Sequence, residues 1–302
     1  MTDPADDLRD EFVRDIRRRF RRIRGEIRQW TGYEYDVFGL TDDGPRLPED
    51  LPDDAPDVYR FTTDRRKTSA FLDWLRQRLD DELLEPLRSR QVENGEHWTA
   101  EYIRAAYDRA WRDARSRLRT QGVSVGSLPG DEDTELIDAL FDMPAPREGL
   151  RTLFTRTYRN LQDIGADTAE PVRETLLTGF EEGWNPRKMA SKLTKEVRTI
   201  QHTQAEVLAR TETMNAYTEA TLDRYERGGV DTVAHGEWST ALDTRVCPIC
   251  KQLDGREIPI GEMRTGTFVF EPGPDEPDHL AGEYPLRPPA HPQGRCTVLP
   301  VL

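Results

Sequence analysis

The chain has 302 residues and a formal net charge of −14 at pH 7, with 57 acidic against 43 basic side chains. A chain of this length can bury a substantial core and is expected to form two or three domains. No apolar run approaches the roughly 20 residues of a membrane-spanning helix. The N-terminal segment is acidic and lacks an apolar stretch, so we expect no signal peptide.

Arginine supplies nearly all of the positive charge. The lysines are Lys67, Lys188, Lys192, Lys195 and Lys251. An acidic surface that is poor in lysine stays hydrated where a neutral surface would precipitate, so this balance predicts a halophilic source. An acidic protein encoded by a GC-rich genome is the alternative interpretation.

Residues 4–30 are predicted to form an amphipathic helix, because large apolar side chains recur at every third or fourth position. The members of this apolar stripe are Leu8, Phe12, Ile16, Phe20, Ile23, Ile27 and Trp30. So many large apolar side chains on one face are too costly to leave in water. We therefore expect the stripe to dock on another protein or on another copy of the chain.

The other faces of this helix carry eight arginines between residues 11 and 30, against three acidic side chains. Guanidinium groups suit phosphate, so contact with DNA is one interpretation. The alternative is a solvated face, or a face paired with the protein's own carboxylates. We favour this alternative, because no aromatic side chain is interleaved on the basic face and salt weakens phosphate contacts.

Residues 31–60 are rich in Pro, Gly and Asp and are predicted to form an acidic loop. Helical periodicity dominates the chain from there to residue 227. The predicted helices cover residues 63–90, 99–118, 134–141, 147–182, 185–197 and 199–227. Pro86 is expected to end the first of them, and Gly165 or Pro171 to divide the fourth.

From Val230 onward the pattern changes to short strands and turns. The strand candidates are Val233, Trp238, Ile258, Ile260, Phe268, Val269, Phe270 and Thr297–Val301. Leu253–Gly255 is predicted to be a hairpin-type turn. The predicted fold is mainly α with a small C-terminal α+β or β-hairpin module stapled by zinc. Composition divides the chain into residues 1–122, 123–229 and 230–302.

All three cysteines lie in this C-terminal module. Cys247 and Cys250 form a C-x2-C knuckle, and Cys296 follows His291 by five residues. Thiolate and imidazole groups are the ligands of tetrahedral Zn2+, and three cysteines with one histidine leave no open position for water. The spacing therefore predicts a structural zinc site formed by Cys247, Cys250, His291 and Cys296.

Three alternatives to this site remain. Cys247 and Cys250 can form a disulfide or a redox pair, although the βαβ pattern that favours redox chemistry is missing. The cysteines can also be unlinked small apolar side chains. His279 is a rival to His291 as the fourth ligand, although His291 lies in a stiffer, proline-rich frame.

Known catalytic sequence motifs give little support for an enzyme, and we expect no catalytic activity. The zincin, Walker and dinucleotide-binding patterns find no match. His235-Gly-Glu237 followed by a C-x2-C knuckle has the order of the zinc deaminases, but those enzymes place the cysteines at helix starts, whereas this region is predicted to be strand-rich. A metal-dependent nuclease that uses His235, Glu237 and Asp243 is a further alternative without support from spacing.

The order of motifs in the C-terminal part resembles the signature of the Mu F-like head-morphogenesis proteins, the minor head proteins of tailed phages. The resemblance rests on Trp238, Asp243, Arg245, Cys247, Cys250, Leu253–Gly255, Pro288, Pro289, His291, Pro292, Arg295, Cys296, Val298 and Pro300, preceded by Ala209–Glu212. It covers roughly residues 170–302. The family often ends in C-R-C, and here Gly294 replaces the first of those cysteines, so a metal site that used it would lose that ligand.

The resemblance implies a minor head protein, present in few copies near the portal vertex and active in capsid assembly and DNA packaging. Its implied partners are the portal protein and the major capsid protein, with packaged DNA as a further partner through the arginine-rich helix. It implies a location in the virion head, and in the host cytoplasm during assembly. Together with the acidic composition, it predicts a haloarchaeal tailed virus as the source. A zinc-stapled nucleic-acid-binding protein is the alternative function.

Overall fold

The computed structural model describes residues 5–125, 143–228, 233–241 and 243–302. Helices dominate the chain up to residue 228, as predicted. They are α1 (Asp6–Arg28), α2 (Asp64–Leu79), α3 (Ser89–Glu93), α4 (Ala100–Thr120), α5 (Pro144–Glu181) and α6 (Pro186–Arg227). Short helical turns lie at Gln29–Tyr33, Asp57–Arg60 and Asp80–Leu84. The helix predicted at residues 134–141 lies outside the described residues.

Two predicted helix boundaries are wrong. Helix α5 continues through Pro171, and α6 continues through residue 198 as a single helix of 42 residues. After Pro186 at its first position, α6 contains neither glycine nor proline, so nothing local interrupts it. In α5, Leu161, Ile164, Val172 and Leu176 are all buried and stay in helical register across the proline. Their burial offsets the cost of about 3 kcal/mol that an internal proline imposes.

The C-terminal module contains the predicted strands and two short helices. Its strands are β1 (His235–Ser239), β2 (Glu257–Pro259), β3 (Thr267–Phe270), β4 (Gly282–Pro285) and β5 (Thr297–Val301), and its helices are α7 (Pro248–Leu253) and α8 (Ile260–Thr265). An antiparallel sheet has the order β2-β1-β5, with Trp238 opposite Val298. Strands β3 and β4 form a separate antiparallel pair. Ile260 begins α8 and Val233 precedes β1, so neither is in a strand, contrary to the prediction.

Contacts group the chain into two compact units, each made of separated segments. Unit 1 comprises residues 1–12, 89–157 and 207–302, and unit 2 comprises residues 13–88 and 158–206. The division into residues 1–122, 123–229 and 230–302 concerns parts that fold independently, and it stays a prediction. Among the described residues, no helix is both long enough and apolar enough to cross a membrane.

The apolar stripe of α1 is ordinary core, so the predicted docking on another protein is wrong. Phe12, Ile16, Phe20, Ile23 and Ile27 have no exposed surface within the chain itself. The chain therefore satisfies the stripe internally, and no external partner is needed to cover it.

The acidic loop of unit 2 is also packed and partly ordered by its own carboxylates. The ring of Phe38 lies 5.2 Å from that of Phe71 and 5.5 Å from that of Phe180. Asp36 accepts a hydrogen bond of 2.8 Å from the backbone N–H of Leu40. Trp74 donates its indole N–H to the backbone carbonyl of Asp54 at 2.9 Å. The predicted loop is thus irregular in backbone but contributes side chains to the core.

In unit 1, the C-terminal module packs on α4 and α6 through one apolar cluster. Its buried members are Ala114, Leu118, Leu222, Tyr225, Val233, Ile258, Ile260, Met263 and Val298. A second cluster of the module forms around Trp238, Cys250, Leu253, Phe270 and Cys296. This second cluster contains the three cysteines of the predicted metal site.

Candidate metal centre

The C-x2-C knuckle lies at the start of the helix α7, although the region was predicted to be strand-rich and without such a helix start. Cys247 caps the helix in an extended conformation, and Pro248 occupies the first helical position, where its missing N–H is no loss. The backbone N–H of Cys250 points at the Cys247 sulfur over 3.4 Å. A helix start aims backbone N–H groups at the first sulfur, which stabilises its thiolate form.

His291 comes from the turn that follows the two prolines Pro288 and Pro289. Its Nε2 lies 3.0 Å from the sulfur of Cys247 and 3.5 Å from that of Cys250. The other ring nitrogen, Nδ1, lies 2.8 Å from the backbone carbonyl of Pro292. A carbonyl oxygen only accepts, so Nδ1 carries a proton. In the protonated ring Nε2–H donates to the Cys247 sulfur, and once that proton is lost Nε2 can offer its lone pair to a metal ion.

The donor atoms of Cys247, Cys250 and His291 all lie within 4.8 Å of one another and form a group that can hold a metal ion. Cys296 is not within that limit of all three. It is buried in the same apolar cluster as Cys250. Its role as the fourth ligand stays a prediction, because a metal would have to draw its sulfur inward.

The titration of the three thiols shows how the cluster is poised. A hydrogen bond from the Cys250 thiol, together with one from His291, lowers the pKa of Cys247 to about 4. The pKa of Cys250 is raised, because the neighbouring sulfurs of Cys247 and Cys296 favour its protonated form and the thiol is largely buried. The hydrogen bond from Cys250 lowers the pKa of Cys296. The hydrogen bond to Cys247 raises the pKa of His291. Protons shared between the thiols and the imidazole thus stabilise this cluster of sulfur and nitrogen atoms. A metal cation can replace those protons.

Asp243 fixes the segments on both sides of this cluster. Its two carboxylate oxygens accept two hydrogen bonds of 2.7 Å from the guanidinium of Arg295, which precedes Cys296. The same carboxylate accepts the backbone N–H of Arg245 at 2.9 Å. The Arg295 pair holds the pKa of Asp243 well below its usual range. This bidentate pair orients the chain near two of the predicted ligands.

The remaining sequence candidates lie elsewhere. His279 is exposed in a short turn, which favours His291 as the ligand. His235 and Glu237 lie on β1 and, within the described residues, join no metal-binding group. The cysteines do start a helix, as in the deaminases, but without His235 and Glu237 beside them the deaminase arrangement is missing.

Gly294, where the family often has cysteine, occupies a tight turn. A Cβ atom at this position would lie 2.8 Å from the Pro289 side chain and 3.2 Å from the carbonyl oxygen of His291. Real Cβ atoms essentially never approach this closely, so a cysteine here would force the turn to open. The glycine therefore suits this turn.

The sequence also contains one G-x-S-x-G match, at residues 122–126. In hydrolases this motif needs a strand before the serine and a helix after it. Here Ser124 is exposed in an irregular segment directly after α4, so the required strand is replaced by a helix. The match does not indicate a nucleophile.

The A-R-T-E segment at Ala209–Glu212 on α6 contributes a buried ion pair. Glu212 is fully buried and accepts hydrogen bonds of 3.0 and 2.9 Å from Arg156 of α5. The hydroxyl of Thr157 adds a third at 3.2 Å. The pair fixes α5 against α6 within unit 1.

Comparison with known proteins returned no match among curated proteins and none among solved structures. One family model does match. The haloarchaeal source stays a prediction, because the matching description concerns phage in general. Residues 170–299, which include α6 and the whole cysteine–histidine cluster, match the family described as Phage Mu protein F like protein, and this supports the resemblance drawn from the motifs.

Proposed function

We propose that this protein is a head-morphogenesis component of a tailed virus, a minor head protein that acts near the portal vertex in capsid assembly and DNA packaging. The family match over residues 170–299 is the observation that carries this proposal. Its partners are the portal protein, the major capsid protein or both.

Within this role, Cys247, Cys250, His291 and Cys296 bind one structural Zn2+. The first three donor atoms already converge, and the Nδ1 hydrogen bond presets the histidine tautomer for ligation. Bound zinc would supply cross-linking and no chemistry, because four protein ligands leave no site for water. The ion would link α7 to the turn before β5.

A nucleic-acid-binding role is the second candidate, and the contacts of α1 within unit 2 speak against it. Arg17 pairs with Glu206 at 2.8 Å, Arg19 with Glu85 at 2.9 Å, and Arg22 with Glu82 at 3.1 Å. These guanidinium groups are engaged by the protein's own carboxylates. The favoured interpretation of the basic face is therefore self-pairing.

The first test is composition of purified virus particles. Mass spectrometry should detect the protein in heads at a few copies per particle. The host cytosol should be depleted of the protein. Particles that lack the protein would overturn the proposal. Binding to duplex DNA that weakens steeply with added salt, in protein absent from heads, would favour the nucleic-acid alternative.

A second test concerns the absence of catalysis. His235→Ala and Glu237→Gln should leave head assembly unchanged, since both side chains lie on β1 away from the metal-binding group. Asp243→Asn should lower the stability of the protein, because it breaks the bidentate ion pair with Arg295. Melting temperature and particle yield should fall together in Asp243→Asn, and both should stay at the parent level in His235→Ala and Glu237→Gln. A variant that melts normally and enters heads but abolishes infectivity would show an active site.

A further inference from the structure

A cationic pocket lies in unit 2, on the face of α2 that meets the later part of α5. Its volume is about 460 Å³. It is lined by Arg65, Thr68, Ser69, Leu72, Arg76, Arg173 and Leu177. We call it the arginine pocket. Three guanidinium groups and no carboxylate line it, in a chain whose net charge is −14.

Its arginines are available to a ligand. Arg65 is exposed and forms no ion pair within the described parts of the chain. Among the residues that the structure describes, Arg76 and Arg173 pair only with neighbours three residues away, Asp73 at 2.8 Å and Glu170 at 3.6 Å. Such exposed pairs contribute little to stability, so a ligand's carboxylate can replace them at small cost.

The rest of the lining is apolar, apart from hydroxyl groups. Leu72 is buried, while Leu177 is 38% exposed and is one of few large apolar side chains at the surface of the described residues. Thr68 is 5% exposed, and its buried Oγ1 has no hydrogen-bond partner in the described structure. Buried hydroxyl groups are nearly always paired, so this one lacks a partner that a bound ligand can supply.

We propose that the arginine pocket binds an acidic segment of a partner protein, with a large apolar side chain on Leu72 and Leu177 and carboxylates on Arg65 and Arg173. Guanidinium forks match carboxylates in a bidentate manner. A phosphodiester backbone would satisfy the arginines, but it offers nothing to cover the two leucines. The apolar floor therefore favours a peptide over a nucleic acid. This inference stands independently of the metal centre and of the head-assembly role.

The test uses the full-length protein and fluorescence anisotropy at fixed ionic strength. The probe is a labelled hexapeptide of alternating glutamate and leucine, blocked at both ends. The comparison ligands are the same peptide with serine in place of leucine, and a single-stranded oligonucleotide of similar charge. The glutamate–leucine peptide should bind, and the serine peptide should bind roughly tenfold more weakly.

The variants separate the pocket from general charge. Arg65→Glu should weaken binding of the glutamate–leucine peptide by roughly tenfold or more. Arg66→Glu is the matched control, since Arg66 is the next residue of α2, is also exposed, and lines a different cavity together with Asp73 and Trp74. It should leave binding nearly unchanged. Thr68→Val, which keeps the shape and removes the hydroxyl, should weaken binding while the protein melts normally.

Several outcomes would overturn the proposal. Equal losses for Arg65→Glu and Arg66→Glu would mean that net charge alone attracts the peptide. Equal binding of the leucine and serine peptides would show that the apolar floor is unused. Tighter binding of the oligonucleotide, lost with Arg65→Glu, would assign the pocket to phosphate. The absence of any peptide binding would show that the arginine pocket is not a peptide-binding site.

Discussion

Cys250→Ser is expected to unfold the C-terminal module and to leave the long helices folded. The apolar core around the candidate metal centre contains few side chains. Three of the described side chains in this core are cysteines. Structural zinc stabilises small domains by about 10 kcal/mol or more, which exceeds what so small a core supplies. Purified protein should contain about one zinc per chain.

The histidines supply matched controls for this prediction. His291→Ala should release zinc and lower the melting temperature of the module, since it removes the Nε2 ligand. His279→Ala should retain the metal and melt like the parent, because that side chain is exposed and lies outside the metal-binding group. Elemental analysis and near-ultraviolet circular dichroism, before and after chelation, provide the measurements.

The opposite results would identify one of the alternatives. Metal-free protein with a fully formed module would show that hydrogen-bonded thiols suffice. Loss of zinc in His279→Ala and retention in His291→Ala would assign the fourth ligand to His279. A disulfide between Cys247 and Cys250, detected by mass spectrometry in protein prepared without reductant, would replace the metal altogether.

The second large effect is expected at Arg264, the cation at the centre of a carboxylate cluster in unit 1. Its guanidinium pairs with Glu219 at 2.7 Å, with Asp223 at 2.5 Å, and with Glu226 at 2.7 Å. Asp223 is 5% exposed and also accepts a hydrogen bond from the Tyr107 hydroxyl. Arg264 thereby connects α8 to α6.

Arg264→Met should destabilise unit 1 by about 3–5 kcal/mol, because it leaves the buried carboxylate of Asp223 without its cation, whereas Glu219 keeps its ion pair with Arg287. Equilibrium unfolding in urea measures the change. Arg256→Met is the matched control, since Arg256 is exposed in the same module, and surface substitutions of this kind change stability by less than about 0.5 kcal/mol. Equal effects of the two substitutions would show that the carboxylate cluster is not held by Arg264.

The loss of stability caused by Arg264→Met should depend on pH. Burial raises the pKa of Asp223, and Arg264 opposes that rise. Without the arginine the folded-state pKa rises further above the ordinary value of about 3.9, so the folded protein takes up a proton before the unfolded chain does. Stability of the variant therefore improves as pH falls toward the ordinary aspartate range.

Unfolding at pH 8 and at pH 5, compared with Arg256→Met at the same two values, measures this dependence. The comparison with Arg256→Met removes the contribution of the cysteines and of His291, which titrate in both variants. The deficit should be smaller at pH 5. A deficit that stays constant or grows would mean that packing of α8, and not charge, is what the substitution disturbs.

Local signals were sufficient for the helices and for the knuckle. The spacing of Phe12, Ile16, Phe20, Ile23 and Ile27 predicted both the helix α1 and the face it buries, because helical periodicity depends only on neighbouring residues. They did not indicate what covers that face. An apolar stripe looks the same in the sequence whether its own chain or a partner packs on it.

In the candidate metal site, the sequence by itself determined the ligand types, because C-x2-C spacing and a downstream His-Pro segment are short-range patterns. Only the tertiary structure decided that the knuckle begins a helix, that His291 and not His279 lies beside its sulfurs, and that Asp243 forms an ion pair with Arg295. The contacts of His291 and of Asp243 join residues more than forty positions apart. They depend on how β1, α7 and β5 pack together. Likewise, the continuity of α5 through Pro171 depends on the burial of Leu161, Ile164, Val172 and Leu176, an energy that comes from distant segments and that no local propensity contains.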